Sequence, residues 1–378
     1  MAMRQNSCKV RNRGVYIVEK NLKYVIIGAG GTGGAIGAHL ARAGKNVTLI
    51  ARGKHLEVMN RQGIKVIKPA GDFVVRDIKA YDMQQYENHI KESQDERPNV
   101  IFVCVKGYSL EDTIPFIQNI SGKHTVVIPV LNVYGTGRNM QKKLPKLLVT
   151  DGCIYVAAEL REPGCIFMNG DILRVVFGKR HDRDNVPAQV GFLNQSQNKM
   201  NVQDISMDSK EKKTYASQNG GDFYDLILRQ VENDLNDSGI RGILSEQIER
   251  DTMIKFSYIA AQNTCGTYYG VAAGEIQKEG EIRDCFIRLV REIEILGNAM
   301  GLYFSESLVE KNLRLIDSLS PDMTTSMQRD LRDGKQSEID GLVYSVPDMA
   351  REYGVELPVF EKIVSELNAD KQSPTSEA

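Results

Sequence analysis

The sequence predicts an α/β protein: an N-terminal Rossmann-type, doubly wound domain followed by an all-α C-terminal domain. From residue 23 to about 178, short β-branched runs alternate with helical patterns, as is typical of βαβ units in a mostly parallel sheet. A glycine-rich turn directly follows the first of these runs. From about residue 222 onward, apolar residues recur only with helical spacing, which predicts the second domain.

Individual elements follow from the same patterns. Strands are expected at residues 24–27, 46–50, 100–105, 124–131, 152–159, 165–168 and 172–177. Helices are expected at residues 33–43, closed by Gly44, and at 109–119. C-terminal helices are expected at residues 223–235, 245–263, 282–300, 307–319, 337–352 and 359–367. The two domains are therefore predicted at residues 23–180 and 222–368.

Three polar segments lie outside these domains. Residues 1–22 are predicted to be a disordered leader, and residues 369–378 a polar tail. Residues 181–221 have almost no apolar periodicity, which favours a linker or a surface insertion.

Composition excludes several classes of protein. With 48 basic and 49 acidic residues among 378, the net charge is −1, which argues against a broadly basic nucleic-acid binder and against attraction to an anionic membrane. The apolar runs fall well short of the roughly 20 residues that a membrane span needs. Six scattered cysteines without a CxxC pair suggest neither a metal site nor a disulfide framework. The N-terminus lacks the apolar region of a secretory signal, so a cytoplasmic protein is expected.

The turn after the first strand carries a dinucleotide-binding pattern. Gly28, Gly30 and Gly33 form GxGxxG between a predicted strand and a predicted helix. In this context the first glycine permits a tight turn, the second lets a pyrophosphate approach the backbone, and the third allows close helix packing. The alternative is a glycine-rich turn that binds no ligand.

The end of the second strand indicates which dinucleotide is preferred. An NAD-binding fold places an acidic residue there for the ribose hydroxyls, but this chain has Arg52 and Lys54. Two cations favour a 2′-phosphate, and hence NADPH as the cofactor. The alternative is that both side chains are simply solvated.

Two more strand ends are expected at the same edge of the sheet, where ligands bind in this fold class. Lys106 closes VIFVCVKGYS, and Asn132 closes VVIPVLNVYG. Each also has an ordinary explanation, since a lysine is often a surface cation and an asparagine often forms a turn.

The C-terminal half contains a second group of candidates. Lys255, Ile259 and Asn263 share one helix face at i, i+4 and i+8, in a run that becomes almost wholly small and apolar. An exposed lysine at the helix edge is the alternative. Further on lie five more polar residues, and the last three of them could instead form a helix start resembling a capping box. They are Ser326, Asp330, Ser337, Glu338 and Asp340.

Taken in order, these segments resemble ketopantoate reductases (2-dehydropantoate 2-reductases), the enzymes that make pantoate in pantothenate biosynthesis. The similarity lies in GAGGTG, VKGYS, PVLN, MIKFSYIAAQN and TTSMQRDLRDGKQSEIDGL, of which the last is the most specific. It spans residues 23–367 apart from the 181–221 segment. The resemblance implies that NADPH delivers hydride to the ketone of a 2-oxo acid, giving a 2-hydroxy acid.

The resemblance also implies roles for individual residues. The catalytic lysine and the catalytic glutamate fall on Lys255 and Glu338. Substrate contacts fall on Asn132, Asn263 and Ser326. Cofactor contacts fall on the glycine loop, on two strand-end cations, on an asparagine and on one residue after the fifth strand: Gly28, Ala29, Gly30, Gly31, Thr32, Gly33, Arg52, Lys106, Asn132 and Ala158.

Elementary chemistry agrees with these roles. Hydride transfer to a ketone places negative charge on its oxygen, so the site needs a proton donor or cation there. A lysine, protonated at neutral pH, supplies both. Glu338 would repel a substrate carboxylate, so it is better suited to accept from a substrate hydroxyl or to orient Lys255.

Three residues depart from the family pattern and leave the substrate open. Ile259 and Ala273 replace asparagines, and Val133 replaces a glycine. Losing two hydrogen-bonding side chains favours a more apolar 2-oxo acid. Two other functions are compatible with the sequence: a related dehydrogenase acting on an imine or opine precursor, and a non-catalytic protein that senses NADPH. The long apolar-faced helices of the C-terminal half are compatible with a homodimer.

Overall fold

A computed structural model describes residues 17–18, 21–181, 215–216 and 223–372. The chain divides into two units, of which the first runs to Ile248 and the second begins at Glu249. Two short segments, Lys106–Tyr108 and Asn132–Tyr134, group by their contacts with the second unit, although each follows a strand of the first.

Strands and helices alternate through the first unit, as the sequence predicts. The strands are β1 (Ile17–Val18), β2 (Lys23–Ile27), β3 (Asn46–Ile50), β4 (Ile64–Ile67), β5 (Phe73–Val75), β6 (Lys79–Tyr81), β7 (Val100–Val103), β8 (Val126–Pro129), β9 (Leu148–Val149), β10 (Asp151–Glu162), β11 (Cys165–Gly178), β12 (Tyr215–Ala216) and β13 (Arg241–Leu244). The helices are α1 (Gly31–Arg42), α2 (Gly53–Gln62), α3 (Met83–Glu92), α4 (Leu110–Ile120), α5 (Thr136–Lys143) and α6 (Phe223–Asp237).

A parallel sheet forms the centre of the first unit. Its strand order is β6-β3-β2-β7-β8-β9, and every neighbouring pair is parallel. This is the order of the doubly wound dinucleotide-binding fold, in which the chain reverses direction across the sheet beside the first strand. The predicted Rossmann-type domain is therefore confirmed, with the glycine-rich turn at the end of the central strand β2.

The central strand is apolar throughout because both of its faces are buried. Tyr24 and Ile26 pack into the core on one side of the sheet, and Val25 and Ile27 into the core on the other. All four side chains are at most 1% exposed. Such near-continuous apolar runs are characteristic of strands in parallel sheets covered by helices on both faces.

A second sheet follows in the chain. The long strands β10 and β11 form an antiparallel hairpin, and β11 also pairs in parallel with β4 and with β13. The sequence predicted separate strands at residues 165–168 and 172–177, but β11 is continuous from Cys165 to Gly178. The prediction was wrong because the polar stretch between Met168 and Leu173 forms an irregularity within one strand, where the register of β11 against β10 shifts, rather than a break between two strands.

The predicted start of the helical domain at residue 222 was also wrong. Helix α6 packs in the core of the first unit through Ile227, Leu228 and Val231, and β13 extends the second sheet. A helical pattern identifies α6 as a helix, but it does not reveal which core its apolar face joins. The helical unit therefore begins at Glu249 rather than at residue 222.

The predicted polar segments lie largely outside the described residues. At their described margins, Leu22 is 2% exposed in the core of the first unit, so the leader cannot extend to residue 22. The last helix continues to Gln372, four residues beyond the predicted end of the domain at 368. Within the 181–221 segment, Tyr215–Ala216 pairs antiparallel with Ile17–Val18.

Helices build the second unit around one apolar core. They are α7 (Ile248–Tyr268), α8 (Ala273–Gln277), α9 (Glu281–Ala299), α10 (Leu308–Asp317), α11 (Ser326–Arg332), α12 (Val346–Glu352) and α13 (Pro358–Gln372). Phe256, Leu289 and Phe360, from three different helices, are fully buried in this core.

The predicted helix at residues 337–352 is not continuous. A π-helical turn, Asp340–Tyr344, precedes α12, which starts with Pro347 in its first turn. The capping box of this region is formed by Thr325 and Gln328 at the start of α11, rather than by the Ser337 segment. The side chain of Glu338 is thereby available for other contacts.

The described residues contain neither a membrane-spanning helix nor a cluster of metal ligands. None of the helices there is both long and apolar enough to cross a membrane. Nor do histidine, cysteine, aspartate or glutamate side chains in those ranges gather in groups of three or more that could hold a metal ion.

Candidate active site

The turn between β2 and α1 and the first turn of α1 have three glycines that packing requires. Gly28 has φ +93°, and a Cβ there would lie 3.0 Å from the backbone of Cys104 and Val105. A Cβ on Gly33 would overlap the carbonyl oxygen of Gly28. The third, Gly31, lies so close to the carbonyl of Ala158 on β10 that a side chain would overlap it. These positions explain how the turn and α1 fit against the sheet.

Gly30 differs from its neighbours because it faces open space. A Cβ on Gly30 would meet no atom within 4 Å, and the φ of Gly30, −68°, is accessible to any residue. Neither packing nor backbone conformation therefore requires a glycine here. No side chain caps α1, and its first turn contains no acidic residue. Open backbone amides at the positive end of a helix are what a pyrophosphate binds. The turn therefore fits the phosphates of a dinucleotide, and Thr32 lies in the same first turn of α1.

The turn after β3 carries the predicted cations. Arg52 precedes α2 and is exposed, as is Lys54, and the first turn of α2 contains no acidic residue. The assignment of these cations to a 2′-phosphate stays a prediction.

Sequence reasoning missed a histidine in the same turn. The ring nitrogens of His55 lie 2.8 Å from the Ala29 carbonyl oxygen and 2.9 Å from the Gly164 amide nitrogen. The sequence signal was its position directly after Lys54, which does not reveal its backbone partners.

In the second unit, a buried carboxylate is held by residues that follow β7. One oxygen of Glu338 accepts from the Gly107 N–H at 3.0 Å, and the other lies 3.3 Å from Lys106 Nζ. Lys106 Nζ also lies 3.2 Å from Asp330. The Glu338 side chain is 5% exposed, against 39% for Lys106. Burial disfavours the charged form of Lys106, but attraction to Glu338 and Asp330 outweighs it, so the pKa of Lys106 is raised.

A second pair involves the predicted catalytic lysine. Lys255 Nζ, on α7, donates to the side-chain oxygen of Asn132 at 2.8 Å. The segment that follows Asn132 packs against the same helix, since the rings of Tyr134 and Phe256 lie 5.8 Å apart. The Glu338 carboxylate contacts Lys106 and Gly107, and both of its expected roles, accepting from a substrate hydroxyl or orienting Lys255, stay predictions.

The remaining predicted substrate residues lie further along α7 and at the start of α11. Asn263 is 4% exposed; its amide group donates to Ile259 O at 2.8 Å, and its buried Oδ1 has no partner in the described structure. The open Oδ1 can only accept, while the second N–H of the amide group can still donate, so the substrate contact at Asn263 stays a prediction. Ser326 is the first residue of α11, whose Gln328 side chain lies against Gly266 of α7.

The three departures from the family pattern have different surroundings. Ala273 is 1% exposed in the core and donates its N–H to Met323 O at 3.0 Å, so it belongs to the packing of α8. Ile259 is partly buried on α7. The Val133 side chain lies between two glycines. A Cβ on Gly341 would lie 2.7 Å from it, and a Cβ on Gly107 would lie 3.5 Å from it.

The structure thus brings the predicted residues into two groups, one in each unit. The glycine turn, the exposed cations and Ala158 belong to the first unit; Lys106, Asn132, Lys255 and Glu338 belong to the second. Asp330 was noticed in the sequence, but its pairing with Lys106 was not predicted. A Rossmann-type sheet with an open glycine turn is typical of dinucleotide-dependent oxidoreductases.

Family models identify the particular kind. "Ketopantoate reductase PanE/ApbA" matches residues 24–182, and "Ketopantoate reductase PanE/ApbA C terminal" matches residues 247–372. The chain therefore belongs to the ketopantoate reductase family, as its sequence motifs indicated. The second match begins near Glu249, in agreement with the boundary seen in the structure.

Individual relatives are distant but span nearly the whole chain. An uncharacterized oxidoreductase, YkpB, from Bacillus subtilis is 25% identical over 92% of this chain and 98% of its own length. The 2-dehydropantoate 2-reductase of Aquifex aeolicus is 21% identical over 92% of this chain and 96% of its own.

Solved structures show the same fold. The 2-dehydropantoate 2-reductase from Methylococcus capsulatus has a TM-score of 0.72 at 19% identity, covering 94% of this chain and 99% of the other. D-mandelate dehydrogenase, solved with NADH and anilino(oxo)acetate, has a TM-score of 0.71 at 17% identity, covering 93% of this chain and 99% of the other.

Proposed function

We propose that this protein reduces a 2-oxo acid to a 2-hydroxy acid with NADPH, as a ketopantoate reductase does. The observation that carries the proposal is the Lys255–Asn132 pair: a lysine ammonium held at 2.8 Å by an asparagine oxygen at the end of a Rossmann-fold strand. When bound, the dinucleotide supplies the hydride. The residues of this chain bind the acid, orient it and supply the proton.

Lys255 is the general acid of this proposal. As hydride reaches the ketone carbon, charge develops on the ketone oxygen, and an ammonium there stabilises that charge and transfers a proton. Asn132 accepts one N–H of Lys255, which fixes the direction of the ammonium. A fixed donor needs little reorganisation when the charge develops.

Glu338 serves as an acceptor for a substrate hydroxyl in this proposal. Its two oxygens already accept from Gly107 N–H and pair with Lys106, which holds the carboxylate in one orientation. Each carboxylate oxygen can accept more than one hydrogen bond, so a further donor can be accommodated. Lys106 offsets the negative charge that would otherwise repel the substrate carboxylate.

The preference for NADPH over NADH rests on Arg52 and Lys54. Both are exposed at the end of β3, and the first turn of α2 has no carboxylate to bind ribose hydroxyls. The D-mandelate dehydrogenase of the same fold was solved with NADH, so both dinucleotides belong in the assay.

A second candidate substrate class is an apolar 2-oxo acid, branched or aromatic. Val133 directly follows Asn132, and its side chain occupies the space beside Gly107 and Gly341, the neighbours of the Glu338 site. Ile259 is an apolar residue one turn after Lys255. Both favour an apolar substrate group over the hydroxyl-rich 2-dehydropantoate.

The test follows loss of NADPH absorbance with 2-dehydropantoate and with branched, aromatic and acidic 2-oxo acids. We expect turnover with at least one acid and loss of kcat of about 10²-fold or more in Lys255→Ala. Lys311→Ala is the matched control, because Lys311 is a surface lysine paired with Glu306 at 2.7 Å.

The same panel separates the alternatives. The highest kcat/KM with 2-dehydropantoate would reject the apolar substrate, and turnover only with imines would indicate the opine-type dehydrogenase. NADPH binding without turnover of any substrate, unchanged by Lys255→Ala, would contradict the reductase and favour an NADPH sensor.

A further inference from the structure

We propose that His55 is a positioning residue that orients the Ala29–Gly30 peptide of the glycine turn, so that the Gly30 N–H faces the bound phosphates. The role in binding rests on the proposed dinucleotide function, whereas the orientation of the peptide does not. His55 lies in the first turn of α2, and 26 residues separate it from the carbonyl it holds.

The two contacts of His55 define the state of its ring. The Ala29 carbonyl can only accept, so the nitrogen at 2.8 Å, Nε2, must carry a proton. The Gly164 N–H can only donate, so Nδ1, at 2.9 Å, must be unprotonated. Both bonds exist together only in the neutral ring protonated on Nε2. Burial lowers the pKa of His55, which favours this neutral form.

Holding the Ala29 carbonyl also directs the next amide. A trans peptide is planar, with its C=O and N–H pointing in opposite directions, so the Gly30 N–H points away from His55. In the described structure this N–H has no protein acceptor, and the space at Gly30 is open. The Ala29 N–H is held as well, because it donates to Ile50 O at 3.2 Å.

The far side of the histidine is anchored independently. Gly164, in the turn between β10 and β11, also accepts from the Lys65 N–H at 2.8 Å through its carbonyl. His55 therefore links the glycine turn to the second sheet through two backbone groups. Arg52 lies in the same short turn as His55. A 2′-phosphate bound to Arg52 and a pyrophosphate bound to the glycine turn would therefore both depend on the position of His55.

Two substitutions test the role. His55→Leu removes both hydrogen bonds, whereas His55→Gln retains one donor and one acceptor. Glu57→Leu is the control, since Glu57 is exposed on the same helix. In His55→Leu we expect the KM and Kd for NADPH to rise about tenfold, the size expected when one or two hydrogen bonds are lost, with kcat at saturating NADPH within about twofold. His55→Gln should recover part of that loss.

A second readout needs no cofactor. Hydrogen exchange of the peptide covering residues 28–33 should be faster in His55→Leu than in wild type or Glu57→Leu, while peptides of α9 in the second unit exchange unchanged. The role would be overturned if His55→Leu left the hydrogen exchange of residues 28–33 unchanged. It would also be overturned if the wild type bound NADPH and His55→Leu bound it with the same affinity. If the wild type bound no dinucleotide, the proposed function would fail, and loop exchange alone would decide whether His55 holds the peptide.

Discussion

The hydroxyl of Tyr24 makes a buried hydrogen bond that ties β2, the strand leading into the glycine turn, to α6. It donates to Asp234 Oδ2 at 2.6 Å, and both residues are 1% exposed. The other oxygen, Oδ1, already accepts from Lys45 at 2.7 Å and from Gln230 at 2.8 Å. Burial and the neighbouring Asp234 raise the pKa of Tyr24 well above its usual value, so the hydroxyl stays protonated as a donor.

Tyr24→Phe tests this bond with little change in packing. The ring remains, including its stacked contact with Phe102 at 6.3 Å between centroids. Hydrogen bonds to charged groups contribute about 1.5–3 kcal/mol to stability. Without the Tyr24 hydroxyl, Asp234 Oδ2 would be too buried to form a full hydrogen bond with water instead. We therefore expect the free energy of unfolding of the first unit to fall by about 2 kcal/mol.

The assay is urea unfolding followed by circular dichroism, with the free energy obtained by linear extrapolation. Tyr86→Phe is the matched control: Tyr86 is 3% exposed in the core, and its hydroxyl has no hydrogen bond in the described structure. It should lose less than about 0.5 kcal/mol. Equal losses in the two variants would refute the reasoning. So would a double-mutant cycle with Asp234→Ala that showed no coupling.

Three further predictions concern the turn, the cofactor and pH. Gly33→Ala should reduce both stability and NADPH affinity, because its Cβ would overlap the Gly28 carbonyl, whereas Gly30→Ala should keep its melting temperature and lose affinity alone. Arg52→Gln should raise the KM for NADPH at least tenfold but leave that for NADH nearly unchanged; equal effects would exclude a 2′-phosphate contact. Burial raises the pKa of Glu292 despite hydrogen bonds from two N–H groups of α13. A raised folded-state pKa favours the protonated form on folding, so stability relative to Glu292→Gln should fall as pH rises through that pKa, and a rise in urea titrations would contradict this.

The N-terminal half of the fold could be predicted from the sequence because the patterns that indicate it are local. An apolar run such as YVII predicts a strand, and glycines at fixed spacing predict the turn into α1, where neighbouring backbone requires them at Gly28 and Gly33. The helical periodicity of α6 was equally visible. Its membership of the first unit was not, because an apolar face does not specify its partner.

The candidate site shows the same division. The sequence by itself singled out the glycine turn, Arg52, Lys106, Lys255 and Glu338 as candidates, since each stands out by residue type at the end of a strand or on a helix.

Only the tertiary structure decided how these residues pair. The Glu338 carboxylate reaches Gly107 across 231 residues of chain, and Lys255 reaches Asn132 across 123. His55 holds the glycine turn through backbone atoms that no side-chain pattern reveals. Periodicity reports the surroundings of a residue within a few turns of helix or strand, whereas hydrogen-bond partners at such separations are set by how whole elements pack.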